Sequence, residues 1–233
     1  MTGAVTLPSM RDTVRVWIVA AAVPADELAR YRAVLDADER RRAARLGAET
    51  LRDRFTVAHG ALRLLAGRAT GASPAALAWR PGRYGKPALT GPWAGLHTSL
   101  SYSGDLVAVA LSEDRPVGVD IQLVAPGGDP VAASVRLFHP QEARHVAAGA
   151  GHADRALRFT RLWARKEAAV KAAGGPLWPN LGMPVHRGDT VECVRPAGPH
   201  RLADLPAPAG VALAVALAGT GPYTVERRCA VGG

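Results

Sequence analysis

One order of elements occurs twice along this chain: a strand, then helices, then a group of strands. VRVWIVAAA (14–22) reads as the first strand, and ADELARYRAVLDADERRRAARL (25–46) as one or two helices with Asp36 and Asp38 placed to cap the second. ETLRDRFTVAHGALRLLAGRATG (49–71) is a longer helix, with Phe55, Leu62 and Leu65 at helical spacing and Gly67 or Gly71 near its end. LAWRPGRYGKPALT (77–90) and HTSLSYSGDLVAVALSE (97–113) read as strands with turns at Pro81–Gly82 and Ser103–Gly104. After VGVDIQLV the order recurs. One helix opens near His139–Glu142, and a longer one runs from about Asp154 to Ala173 until Gly174-Gly175-Pro176 stops it. Strands follow at 189–195, 210–217 and 222–229. The recurrence is of element order, with no residue-level repeat. It predicts an α+β fold built as a pseudo-dimer of two similar halves, residues 1–112 and 113–233, with a ligand cleft between them.

The strand that opens the second half carries the most informative chemistry. In VGVDIQ (117–122) Val117, Val119 and Ile121 alternate with Gly118, Asp120 and Gln122, the period of a strand with one apolar face. Asp120 and Gln122 therefore sit side by side on the other face of an otherwise interior segment. A carboxylate there needs a solvent channel, a hydrogen-bonding partner or a metal ion.

Composition excludes several classes. Of the 233 residues 48% are apolar, as in a globular protein, and no run of eighteen apolar residues exists to span a bilayer. The N-terminal segment lacks the basic region and cleavage site of a signal peptide and reads better as a lead into the first strand. Two cysteines, Cys193 and Cys229, lie far apart and outside any CxxC, which argues against a disulfide framework or a zinc site and fits a cytoplasmic protein. Lys and Arg number 29 against 20 Asp and Glu, a formal +9 that implies an anionic partner: nucleic acid, a phosphorylated small molecule or an acidic protein.

Three further segments bear on that partner. In FTRLWARKEAAVKAAGG (159–175), Trp163, Lys166, Glu167 and Lys171 fall within about 140° of one helix face. Alone, Glu167 and Lys171 read as an ordinary i,i+4 surface pair, and Trp163 as core. GRYGKP (82–87) combines glycines, a proline, Arg83 and Lys86 in one turn, a combination suited to phosphate or nucleotide and equally common in a solvated hairpin. SLSYSGD (99–105) places small hydroxyls around a turn, able to bind phosphate oxygens or to make local turn bonds.

Taken in order, GRYGKP, SLSYSGD, GVDIQ and WARKEAAVK resemble the Sfp-type 4'-phosphopantetheinyl transferases, whose fold has two such halves. The resemblance spans about residues 50–175. It implies transfer of the phosphopantetheine arm of coenzyme A to a serine of an apo acyl or peptidyl carrier protein, releasing adenosine 3',5'-bisphosphate. It further implies Mg²⁺, with Mn²⁺ as the other candidate, held by Asp120, Gln122 and Glu167. Glu167 and Lys171 carry the catalytic roles, proton acceptor and pyrophosphate partner, and Asp120 and Lys171 also belong to the coenzyme site. Arg83, Tyr84, Gly85, Lys86 and Pro87 match the turn along the adenine, and Ser99, Leu100, Ser101 and Tyr102 the turn at the 3'-phosphate. The resemblance also offers Arg52 and Arg54 as further phosphate contacts. Lys166 supports the helix or the phosphates from the flank, and His59 receives no role. Tyr102 and Ser99 depart from the histidine and asparagine usual there, and Gln122 from a second strand carboxylate. By family analogy the chain is a monomer serving secondary metabolism, with no membrane or nucleic-acid partner. Two other readings remain in contention: a coenzyme A- or nucleotide-binding homologue without transferase activity, and a basic nucleic-acid module resting on the charge and on ERRRAARL (39–46), itself read as a solvated helix face.

Overall fold

The computed structural model describes residues 12–113 and 115–228; Cys229 and the N-terminal segment ahead of Asp12 lie outside them. The first half opens with β1 (Thr13–Ala20), followed by α1 (Ala25–Ala33), α2 (Ala37–Ala44) and the 22-residue α3 (Glu49–Thr70). Asp36 caps α2 in a reciprocal box with Glu39: its carboxylate accepts from the Glu39 N–H, and Glu39 accepts from the Asp36 N–H. Gly71 ends α3 in the left-handed conformation (φ 69°) that glycine adopts without a Cβ penalty. A short hairpin, β2 (Trp79–Pro81) and β3 (Pro87–Leu89), carries the GRYGKP turn, and β4 (Leu96–Ser103) pairs antiparallel with β5 (Leu106–Glu113).

The second half begins at β6 (Val117–Leu123). It continues through α4 (Pro130–Leu137), α5 (Pro140–Ala147) and the 22-residue α6 (His152–Ala173), then β7 (Thr190–Val194), β8 (Ala197–Asp204), β9 (Val211–Ala218) and β10 (Thr224–Arg228). Each half has a four-stranded sheet, ordered β10-β1-β5-β4 and β6-β9-β8-β7. The last strand among the described residues thus returns to the first half, pairing parallel to β1 with Thr13 opposite Thr224. α4 and β8 were not foreseen. Among the described residues no helix is long and apolar enough to cross a membrane.

Alternation along the strands sets the layers. On β9, Val211, Leu213, Val215 and Leu217 join Val14, Val16, Ala108 and Ala110 of the first sheet in one core between the two sheets. The intervening Ala212, Ala214 and Ala216 face α6, whose own Ala164, Ala168, Ala169 and Ala172 let helix and sheet close tightly. α3 covers the outer face of the first sheet, so the order is helix, sheet, sheet, helix. Burying the methyl-rich faces contributes about 25 cal/mol per Å² of apolar surface removed from water.

β4 and β6 run beside each other where the two sheets meet, and side chains make the join. The hydroxyls of Ser99, Ser101 and Ser103 accept from the backbone N–H groups of Val119, Ile121 and Leu123 at 2.9, 3.3 and 3.1 Å. The strand period puts a serine at every second residue, and every second amide of β6 faces it.

Candidate active site

On β6, Val117, Val119 and Ile121 enter the core between the sheets, and the opposite face turns toward α6. Gly118 permits the approach: a Cβ there would lie 1.9 Å from the Ala168 carbonyl oxygen and 2.4 Å from the Ala172 nitrogen. Strand and helix meet backbone to backbone, which brings Asp120 under the final turns of α6. Asp120 is 1% exposed and fully partnered. Its Oδ1 accepts from the Ser101 hydroxyl (2.7 Å) and the Lys171 ammonium (2.5 Å), and its Oδ2 from the Gln122 amide Nε2 (2.9 Å).

Glu167, one turn before Lys171, is half-buried. Burial pushes its carboxyl above the ordinary carboxylate range; Lys171 pulls it back, and the neighbouring Asp120 charge pushes it further up. Lys166, next in sequence, points the other way. It is fully buried against α5, its ammonium 2.6 Å from Glu142 Oε2, bonded to the Met183 carbonyl and 4.9 Å from the centre of the Phe138 ring. The expected face of four residues therefore divides: Lys166 braces the helix from behind, and Glu167 and Lys171 face β6.

A cleft of about 880 Å³ opens between the halves. Its walls are α2, α3, the β2–β3 hairpin, β4 and the end of α6, with Lys171, Gly174 and Gly175 on the last. Of the residues anticipated from sequence, Tyr84, Gly85, Lys86, Pro87, Ser99, Leu100, Tyr102 and Lys171 line it. Asp120 lies behind the wall, reached through Lys171. Ser101 is buried at the seam, holding Asp120. Arg83 is exposed on the hairpin, its guanidinium 5.3 Å from the Tyr84 ring centre. Arg52 and Arg54 are absent from the walls: Arg52 donates to the carbonyls of Leu46 and Gly47, and the buried Arg54 Nε has no partner among the described residues.

Lys86 reaches from the hairpin into the second half, donating to the carbonyls of Val117 (2.9 Å) and Ala172 (3.2 Å). Burial alone lowers its ammonium to about 8. Sequence reasoning missed the opposite wall. Arg41, Arg42 and Arg45, three of the four arginines of ERRRAARL, line the cleft together with His59. Arg41 pairs with Asp38, whereas Arg42 and Arg45 have no ion-pair partner among the described residues. Behind them Glu39 takes the His59 Nδ1 at 3.3 Å and the Arg63 Nε at 2.5 Å. Burial raises the Glu39 carboxyl, but these bonds and one from the Asp36 backbone outweigh it and leave Glu39 below the usual range. The acidic residues of the wall are neutralised from within, and its free charges are cationic. The signal was available in the basic run itself, which helical spacing alone cannot assign to solvent or to a cleft.

Two α+β halves closing on a cation-lined cleft, with the Lys171–Asp120 ion pair and the neighbouring Glu167 at its α6 end, define a site suited to a phosphorylated substrate. The model of the 4'-phosphopantetheinyl transferase superfamily matches residues 116–201, the segment carrying Asp120, Gln122, Glu167 and Lys171. The chain is 31% identical over 170 residues to the 4'-phosphopantetheinyl transferase HetI of Nostoc sp., covering 72% of this chain and 71% of that one. It is 30% identical over 151 residues to a 4'-phosphopantetheinyl transferase of Bacillus subtilis (64% and 65% covered), and 40% identical over 98 residues to AcpT of Escherichia coli K12 (42% and 49%). The chain belongs to the 4'-phosphopantetheinyl transferase family.

Proposed function

We propose that this enzyme transfers the 4'-phosphopantetheine arm of coenzyme A to a serine hydroxyl of an apo acyl or peptidyl carrier protein. The observation that carries the reading is the Lys171–Asp120 ion pair at the floor of a cationic cleft, with Glu167 beside it. The serine oxygen forms a bond to the phosphorus bearing pantetheine, and the bond from that phosphorus to the bridging oxygen breaks, releasing adenosine 3',5'-bisphosphate. Glu167 accepts the serine proton, directly or through water, its carboxyl poised by burial. Lys171 lines the cleft and offers its ammonium to the pyrophosphate. Arg41, Arg42, Arg45 and Lys86 suit the remaining phosphates, and Tyr84, Gly85 and Pro87 form an open surface for the adenine.

The donor set fits Mg²⁺. Asp120 and Glu167 are hard oxygen donors close enough for Asp120 to raise Glu167, a repulsion that a divalent cation relieves. Such an ion would be held by the two carboxylates and completed by substrate oxygens and water. When bound, such an ion neutralises charge on the pyrophosphate. Both cleft walls come from one chain, which supports a monomeric enzyme, and the cysteine usage supports a cytoplasmic one.

The test is direct. The protein is incubated with coenzyme A, Mg²⁺ or Mn²⁺ and a panel of apo-carrier proteins, and the carriers are weighed intact. Gain of the phosphopantetheine mass, lost in Glu167→Ala and Asp120→Ala variants that remain folded, is the expected outcome. Carriers that stay unmodified with either metal defeat the reading, and near-normal rates in either variant defeat the residue assignment.

A further inference from the structure

We infer that Gln122 and Ser101 are positioning residues that orient Asp120, and that Gln122 acts as a hydrogen-bond donor to Asp120 rather than as a stand-in for a carboxylate ligand. The inference rests on the proposed transferase chemistry only for its purpose; the geometry stands alone. Asp120 has three donors on its two oxygens, and they differ in kind. Ser101 and Gln122 are neutral and sit on neighbouring strands. Lys171 is charged, sits at the end of a long side chain on α6, and is the one of the three that lines the cleft.

The Ser101 proton has one direction open to it. Its oxygen already accepts from the Ile121 N–H, the amide next to Asp120 in the chain, so the hydroxyl hydrogen is directed at Oδ1. Gln122 shares the β6 face with Asp120, two residues on, and turns its Nε2 to Oδ2 at 2.9 Å. Together they hold the carboxylate plane from both oxygens without drawing off its charge. When pyrophosphate arrives, Lys171 can leave for it, and Asp120 keeps both its orientation and its full negative charge. A glutamate at position 122 removes the donor from Oδ2. It also sets a third carboxylate beside Asp120 and Glu167, which already disfavour each other. Residues that hold a metal-binding carboxylate in this way typically change metal affinity by ten- to a hundredfold when removed.

The experiment is Mn²⁺ titration of the whole chain with coenzyme A present, following free Mn²⁺ by electron paramagnetic resonance. Thermal melting in chelator serves as a fold control. Gln122 is half-buried, so Gln122→Met is expected to fold; Ser101→Thr, which keeps the hydroxyl, accompanies Ser101→Ala. The expected result is Mn²⁺ binding weaker by on the order of tenfold in Gln122→Met and Ser101→Ala. Ser101→Thr restores it, Gln122→Glu gives no tightening, and the Gln122→Met melting temperature stays near wild type. Tightening in Gln122→Glu, with Gln122→Met unchanged, overturns the inference and makes residue 122 a ligand. Absence of saturable Mn²⁺ binding by the wild-type chain overturns it as well. The titration includes no transfer step, so a chain that binds Mn²⁺ as described yet modifies no carrier refutes the transferase reading and leaves this inference standing.

Discussion

Glu142→Leu is the perturbation whose cost the structure specifies most fully. Glu142 and Lys166 are both fully buried, 2.6 Å apart, and Glu142 also accepts from the backbone N–H groups of Val185 (2.7 Å) and His139 (3.3 Å). Removing the carboxylate leaves an ammonium in the core with only the Met183 carbonyl and the Phe138 ring. Breaking a buried pair from one side costs about 3–5 kcal/mol. At about 2–4 °C per kcal/mol for a chain of this size, the melting temperature falls by about 6–20 °C. The double variant Glu142→Leu/Lys166→Met removes both charges and leaves the two amides short of an acceptor and the Met183 carbonyl short of a donor, at about 1–3 kcal/mol for each group, costs that the single variants already carry. Urea melts of both single variants and the double close a thermodynamic cycle, with an expected coupling of about 2 kcal/mol or more. The pH dependence supplies a second readout. Burial lowers the Lys166 ammonium and Glu142 opposes that shift, so without Glu142 it falls further. The folded variant then releases a proton that the unfolded chain still binds, and its stability rises with pH toward the ordinary lysine range. Single-variant costs that add to within about 0.5 kcal/mol would refute the reasoning, as would a stability deficit in Glu142→Leu that is flat with pH.

Gly118→Ala forces a methyl against the backbone of α6, and urea melts are expected to show a loss of about 2–3 kcal/mol or more together with loss of transfer; Gly127→Ala, with open space around it, is the neutral control. Lys86 has a folded-state ammonium near 8 against an ordinary 10.5, so between those values the unfolded chain holds more protons and stability climbs with pH; below them both states are protonated and the slope vanishes. Lys86→Met is expected to remove that rise from the wild-type urea midpoints, and an unchanged rise counts against the burial argument. Replacing Arg41, Arg42 and Arg45 with serine is expected to raise the KM for coenzyme A more at low salt than at high salt while leaving kcat nearly unchanged. A KM indifferent to both changes would return these arginines to the solvent.

The elements that local pattern decides were readable in the sequence. The alternation in VGVDIQ placed Asp120 on the face of β6 opposite Val117, Val119 and Ile121, and the Gly174 stop fixed the end of α6. Where the outcome depends on distant packing, pattern was insufficient. Lys166 and Glu167 are about 100° apart on a helix, and only the position of α5 decides which of them is buried. β8 contains Gly198 and Pro199 and resembles a turn, yet it takes its place between β7 and β9. α4 follows a glycine pair and begins at Pro130; its start is marked by Asp129, whose side chain caps it. The pairing of β10 with β1 joins residues more than two hundred positions apart, a contact that composition and period do not encode. In the site, the hydroxyls of SLSYS read as partners for phosphate oxygens or for local turn bonds, and the structure instead gives those of Ser99, Ser101 and Ser103 to a strand of the other half.

The serines of β4 act as a ruler between the halves. A rung supplied by a side chain recurs only where the side chain recurs, so Ser99, Ser101 and Ser103 fix which amide of β6 meets which residue of β4. A slip by one residue would bring Leu100 and Tyr102 to the seam and swing the serines into the cleft. A slip by two keeps the pattern but forfeits one rung. The distance from Asp120 to the Tyr102 wall is therefore measured off in steps of two residues, and a one-residue deletion in β4 would decalibrate Asp120 against that wall and shift the β4–β5 register with it.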